Sequence, residues 1–272
     1  MSSLPRKRFA QHWLRSEKAL NNIVNAACLK KSDRLLEIGP GTGLLTQRLL
    51  PEVETLVAVE IDRDLCTKLV KKFGNQENFL LLQGDILTLD LNSILANNTP
   101  FQNPNKVVAN IPYNITGPIL QKLLGTIGLP VNNYELIVLL LQKEVADRLV
   151  AIPGTKAFGA LSVRVQYLAS CEHICDVPAK AFYPPPKVDS AVVRLQPQTP
   201  VNKVENPKML DILVKQGFAN KRKMLRNNLK GVIDSEVLTQ ILEKLNINPS
   251  SRAENLSVSE WVALTNNISS QN

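Results

Sequence analysis

The rhythm of its apolar residues constrains this chain most. Five short apolar runs, Leu35–Ile38, Leu56–Val59, Phe79–Leu82, Val107–Ala109 and Leu136–Leu141, recur at regular intervals. Amphipathic stretches such as GLLTQRLL and LCTKLVKKF separate them. Runs of this length suit buried strands, and the stretches between them suit helices. Strands alternating with helices imply an α/β fold, a parallel sheet with helices on both faces. Ahead of the first run, Leu20, Ile23, Val24 and Ala27 recur at helical spacing, with Ser16 placed to cap that helix. Two later runs, Val163–Ala169 and Ala191–Leu195, flank a proline-rich loop and are expected to add a hairpin-like pair of strands at the sheet edge.

The character changes after LQPQTPVNKVENP, where Pro197 and Pro200 mark a linker. From Lys208 onward Leu210, Leu213, Val214, Phe218, Leu225, Leu229 and Val232 follow a helical pattern. The expected organisation is an α/β domain over 1–196, a linker over 197–207 and a small all-α domain over 208–272. Between Lys203 and Gly231 there are eight Lys or Arg and two acids, a local net of +6. The whole chain of 272 residues carries a net charge of +8. An excess of that size suits a polyanionic partner, of which nucleic acid is the commonest.

The four cysteines, Cys28, Cys66, Cys171 and Cys175, form no C-x-x-C pair, and there are only two histidines. Neither a disulfide framework nor a metal site is expected. Three of the four thiols read as core residues in a reducing compartment. The basic stretch MSSLPRKRFAQHWLRS has no apolar segment after it and is not a secretory signal. The longest aliphatic run, Leu136–Leu141, is far too short to span a bilayer. The expectation is a monomeric, cytoplasmic protein without membrane association.

The first strand runs into LLEIGPGTGLLTQRLL, which sets Glu37, Gly39, Gly41 and Gly43 at alternate positions before a helix. Glycines there let the backbone turn sharply and approach a ligand closely. The pattern G-x-G-x-G differs from the dinucleotide form G-x-G-x-x-G, in which pyrophosphate sits on the helix N-terminus. The second strand ends in Glu60, about 20 residues on, where nucleoside-binding α/β folds hold ribose hydroxyls. The third ends at Asp85 and the fourth in Asn110-Ile111-Pro112-Tyr113. All four tips face one crevice at the carboxyl edge of the sheet.

This series resembles the S-adenosylmethionine-dependent methyltransferases. The resemblance implies a Rossmann-like methyltransferase sheet with S-adenosyl-L-methionine as cofactor. It places Gly39, and Gly41 of the same turn, near the methionine part, Glu60 on the ribose and Asp85 on the adenine amine. The tetrapeptide NIPY resembles the [DNS]-[IP]-P-[YF] signature of amine N-methyltransferases, and its Asn form points to the ribosomal RNA adenine dimethylases. An adenine N6 amine is a poor nucleophile because its lone pair is shared with the ring. Acceptors that bind its two hydrogens localise that pair, and the Asn110 side-chain oxygen and the Ile111 carbonyl can serve as these acceptors. Pro112 restricts Ile111 to an extended conformation that aims the carbonyl, and Tyr113 can stack on the base. This is catalysis by positioning and charge stabilisation.

The resemblance covers nearly the whole chain. RKRFAQHWL resembles the family's N-terminal segment, within residues 1–15, which closes over the cofactor. It implies cofactor contacts for His12 and Leu14, and Asn110 also touches the cofactor. The family usually shows Gly at Ala10 and Asn at His12. AFYPPPKVDSAVVRL resembles the late F-x-P-x-P-K-V-x-S motif, in which Phe182 lies on the other face of the extruded base. FANKRKMLRNNLKG resembles the basic segment of the small-subunit, kasugamycin-sensitivity branch, which dimethylates two adjacent adenosines near the 3′ end of 16S rRNA. Lys221, Arg222, Lys223 and Arg226 are its candidate phosphate contacts. The expected partner is 16S rRNA within the small ribosomal subunit or its precursor. The alternatives are a 23S rRNA adenine methyltransferase of the macrolide-resistance type, or an assembly or transcription factor on the same fold.

Overall fold

The computed structural model describes residues 11–200 and 202–270. Most of the expected cofactor-covering segment, including Ala10, lies outside the described residues. The sheet strands are β1 (Arg34–Ile38), β2 (Thr55–Glu60), β3 (Phe79–Gln83), β4 (Lys106–Asn110), β5 (Leu136–Gln142), β6 (Ala169–Val177) and β7 (Ser190–Pro197). They form one seven-stranded sheet in the order β3-β2-β1-β4-β5-β7-β6. The first five are parallel, with Leu36 held between Val57 and Val107, whereas β7 runs antiparallel to β5. β1, β2, β4 and β5 are buried along most of their length and half-buried β3 closes the sheet edge. Strands covered on both faces are largely apolar, which is why these runs read as near-continuous in the sequence. The order reverses between β1 and β4, so a crevice opens beyond their carboxyl ends.

Helix Glu17–Ala26 is capped by Ser16, whose hydroxyl accepts from the Ala19 N–H, and it buries Leu20 and Ile23. It packs against β5 and β7, and helix Arg63–Phe73 packs against β2 and β3. At the amino edge of the sheet Lys106 is buried and donates to Asp33 at 2.8 Å and to the Ala27 and Cys28 carbonyls. Asn105 ties the same corner together, accepting from the Arg34 N–H and donating to Asp33.

The expected strand over Val163–Ala169 is corrected. Ala160–Leu168 is a helix and the strand begins at Ala169. The alternation Val163, Val165, Tyr167 reads as a half-buried strand, but Leu168 and Ser162 are buried too. A segment covered on most sides gives no usable period. Its cover is supplied by helices Pro207–Gly217 and Val258–Ser269. Only Cys66 is a buried thiol; Cys28 is exposed, and Cys171 and Cys175 are half-buried on β6. The expectation of three core thiols therefore fails.

By its own contacts the chain divides into two compact units. The first comprises 1–123, 131–146 and 171–197, and the second 124–130, 147–170 and 198–272. The sequence suggests a single cut between 196 and 208. The second unit instead recruits earlier segments, because the helices after Pro207 need the apolar face of Ala160–Leu168 to complete their core. That core centres on Trp261, fully buried, with Phe218 at a ring-centroid distance of 5.8 Å.

Candidate active site

The tips of β1, β2, β3 and β4 open into a cleft within the first unit. Gly39, Gly41, Glu60, Asp85, Asn110, Ile111, Pro112, Tyr113, Phe182 and His12 all line it. Leu14 lines a smaller adjoining recess with Glu37, Gly39, Gly41 and Asn110. The glycine turn is left-handed at both Gly39 (φ +70) and Gly43 (φ +74). A Cβ at Gly43 would come within 2.6 Å of the Phe73 ring, so only glycine lets the turn sit on that helix. The turn is anchored by the Gly39 N–H donating to the Val59 carbonyl.

Glu60 is buried at the tip of β2. One carboxylate oxygen accepts from the Gly41 N–H at 3.1 Å and the other from the Asp62 N–H at 2.9 Å. Burial raises its pKa, the two N–H donors work against that rise, and the Asp62 charge adds to it. Each oxygen keeps a lone pair for a hydroxyl on the cleft side. Asp85 accepts from the Leu87 N–H through Oδ1 at 2.9 Å, which leaves Oδ2 to the cleft.

The NIPY turn is tied down from three sides. The Ile111 N–H donates to the Leu140 carbonyl at 3.0 Å, extending the β4–β5 ladder by one residue. The Asn110 amide nitrogen donates to the His12 carbonyl at 3.4 Å, which leaves its oxygen without a partner among the described residues. The Tyr113 hydroxyl and the Ser190 hydroxyl lie 2.7 Å apart, with Ser190 fully buried. Burial raises the Tyr113 pKa, and the Asp189 charge adds to the rise. Asn110, Ile111 and Tyr113 all line the cleft, and neither Asn110 Oδ1 nor the Ile111 carbonyl has a hydrogen-bond partner among the described residues. His12 stacks on Tyr113 at 5.9 Å, and its Nδ1 lies 2.7 Å from the Pro184 carbonyl. Phe182 is buried and pairs with Leu14 across a two-residue antiparallel ladder.

Lys221, Arg222 and Lys223 are exposed in the second unit, and Arg226 is half-buried on helix Leu225–Leu229. None of the four carries an ion pair among the described residues, so their charge is available to a polyanion.

Two residues with work to do here receive no role from the sequence. Glu37 is fully buried with both carboxylate oxygens unpartnered among the described residues. Burial pushes its pKa up to about 8; the Thr46 hydroxyl, near the carboxylate but outside hydrogen-bonding geometry, works against the rise and the Glu60 charge adds to it. The available signal was an acid between Leu36 and Ile38 inside the strand RLLEI. Ser190 is the closing serine of the F-x-P-x-P-K-V-x-S motif, but its pairing with Tyr113 is visible only in the fold.

Residues 3–270 match the profile of the ribosomal RNA adenine dimethylases. The chain belongs to this family. It is 66% identical to the ribosomal RNA small subunit methyltransferase A of a Nostoc species, over 96% of this chain and 97% of that one. The corresponding protein of Crocosphaera subtropica is 61% identical over 97% and 98%. Among solved structures, a dimethyladenosine transferase from Plasmodium falciparum superposes with a TM-score of 0.76 at 28% identity, covering 93% of this chain and 96% of that one. The 23S rRNA methyltransferase ErmE superposes with a TM-score of 0.73 at 24% identity, over 94% and 99%, a likeness of fold. The chain is thus an α/β methyltransferase of the adenine dimethylase family.

Proposed function

We propose that this dimethylase transfers methyl groups from S-adenosyl-L-methionine to the N6 amines of two adjacent adenosines near the 3′ end of 16S rRNA. The observation that carries the reading is the pair of uncommitted acceptors, Asn110 Oδ1 and the Ile111 carbonyl, fixed beside the Tyr113 ring. The names of its relatives favour the small subunit over the large.

The residues fit the cofactor. Glu37 is an orphaned buried carboxylate beside the glycine turn and suits a cationic group. Glu60 suits ribose hydroxyls, and Asp85 suits an exocyclic amine. When bound, S-adenosyl-L-methionine supplies a methyl group on a positively charged sulfur. The protein's own part is to orient the amine. Asn110 Oδ1 and the Ile111 carbonyl accept its two hydrogens, and the lone pair is then directed away from the ring plane. Tyr113 and Phe182 clamp the two faces of the base, which enters by leaving its stack. No side chain with the reach of a strong base is required, because the amine becomes acidic once alkylated.

Lys221, Arg222, Lys223 and Arg226 hold RNA phosphates in this reading. RNA is recognised by shape and by extruded bases. The protein works as a monomer in the cytoplasm, where the small subunit is assembled. Asn110→Ala tests the assignment: methyl transfer falls nearly to zero while calorimetry shows cofactor affinity only modestly reduced. Undiminished turnover in that variant removes the proposed role.

A further inference from the structure

The lip of the cleft carries an exposed aromatic and guanidinium pair that neither the fold nor the catalytic chemistry uses. Trp13 pairs with Tyr183 and Leu14 with Phe182 in a short antiparallel ladder. The Arg15 N–H extends it by donating to the Ala181 carbonyl at 2.8 Å. Side chains alternate along such a ladder. Phe182 is 5% exposed and lines the cleft, whereas its neighbour Tyr183 is 40% exposed. The Arg15 guanidinium lies over the Tyr183 ring, 4.1 Å from its centroid. Arg15 has no carboxylate partner among the described residues, and the Tyr183 hydroxyl has no hydrogen-bond partner there. Lys180 and Lys187, on the same proline-rich loop, are exposed as well. The one nearby acid of that loop, Asp189, already accepts from the Ala179 N–H.

We infer that Arg15 and Tyr183 form a subsite for the nucleotide that flanks the extruded adenosine. The inference rests on the RNA-methylating reading above and names how that substrate is held. A guanidinium already stacked on a ring presents a flat cationic surface, which a single-stranded base can cover while its phosphate meets the charge. Tyr183 shares its face of the ladder with Trp13, which itself lines the cleft, so the site borders the cleft beside the clamped base. Its position gives the enzyme a grip on a neighbouring base when two adjacent adenosines must be presented in turn.

The test uses unmethylated small ribosomal subunits, labelled cofactor and the full-length protein. Arg15→Ala and Tyr183→Ala each raise the KM for subunits about tenfold, the range for loss of one stacked base. Cofactor affinity by calorimetry and the unfolding midpoint stay unchanged, since neither side chain lines the cofactor cleft. Arg15→Lys, which keeps the charge and loses the plane, recovers only part of the loss. Tyr183→Trp, which keeps a ring beneath the guanidinium, recovers most of it. If the wild type methylates subunit RNA and both alanine variants match its KM, the subsite is overturned on its own. A wild type that transfers no methyl group to that RNA overturns the underlying reading and the subsite with it.

Discussion

Replacing Glu37 with glutamine keeps the shape of the recess and removes its one ionisable group. In the free protein burial holds the Glu37 carboxyl near 8, against an ordinary value of 4.5. A group with that pKa is about 0.9 protonated at pH 7. A cationic cofactor beside it favours the carboxylate and lowers the pKa. Binding at pH 7 should therefore release close to 0.9 of a proton, roughly the fraction present beforehand. Calorimetry in two buffers of different ionisation enthalpy measures this directly. Wild-type protein should show that release and Glu37→Gln almost none. S-adenosylhomocysteine, which lacks the sulfonium charge, should release less. Cofactor affinity of the wild type should climb as pH rises from 6 to 8 and level off above, while that of Glu37→Gln stays flat. Stability carries the opposite sign. The folded pKa is raised, so the folded chain binds more protons than the unfolded chain between about 4.5 and 8, and the ligand-free protein loses stability as pH rises through that window. At about 1.4 kcal/mol per pH unit the loss amounts to up to ~5 kcal/mol, and Glu37→Gln should abolish it. Equal proton release by wild type and variant would refute the reasoning.

Other outcomes follow from the same geometry. Ser190→Ala removes the partner of the Tyr113 hydroxyl and should lower kcat several-fold, for about 1 kcal/mol of hydrogen bonding removed. The effect should vanish in a Tyr113→Phe background, and steady-state kinetics on the double-mutant cycle checks it. Lys106→Met strands the buried Asp33 carboxylate and should cost about 3–5 kcal/mol in denaturant unfolding, with much of it recovered in Asp33→Asn/Lys106→Met. Neutralising Lys221, Arg222 and Lys223 together should weaken RNA binding across sequences. The slope of log affinity against log salt should shrink by about one for each RNA phosphate that is no longer neutralised.

Much of the frame was readable because a parallel sheet buries its strands on both faces and leaves continuous apolar runs. All five such runs became strands, and the residues at their tips fell together because parallel strands end at one edge. The Ser16 cap was legible for a local reason, since its partner Ala19 is three residues on. Contacts between distant segments were not legible. Ala160–Leu168 mimics a strand until the helices that cover it are known. The second unit gathers three separated segments, an arrangement that a linear reading of a proline-marked linker cannot yield. Ser190 meets Tyr113 across 77 positions of sequence. Glu37 stood in plain view between Leu36 and Ile38, but its burial without a partner is a property of three dimensions.

The central claim is that the NIPY turn presents an exocyclic adenine amine for methylation. Mass spectrometry of small-subunit RNA, after incubation with the protein and methyl-labelled S-adenosylmethionine, tests it most directly. The account predicts two adjacent N6,N6-dimethyladenosines near the 3′ end, both missing when Asn110→Ala replaces the wild type. Label on a ribose, a ring nitrogen or another base, or on large-subunit RNA alone, would contradict it.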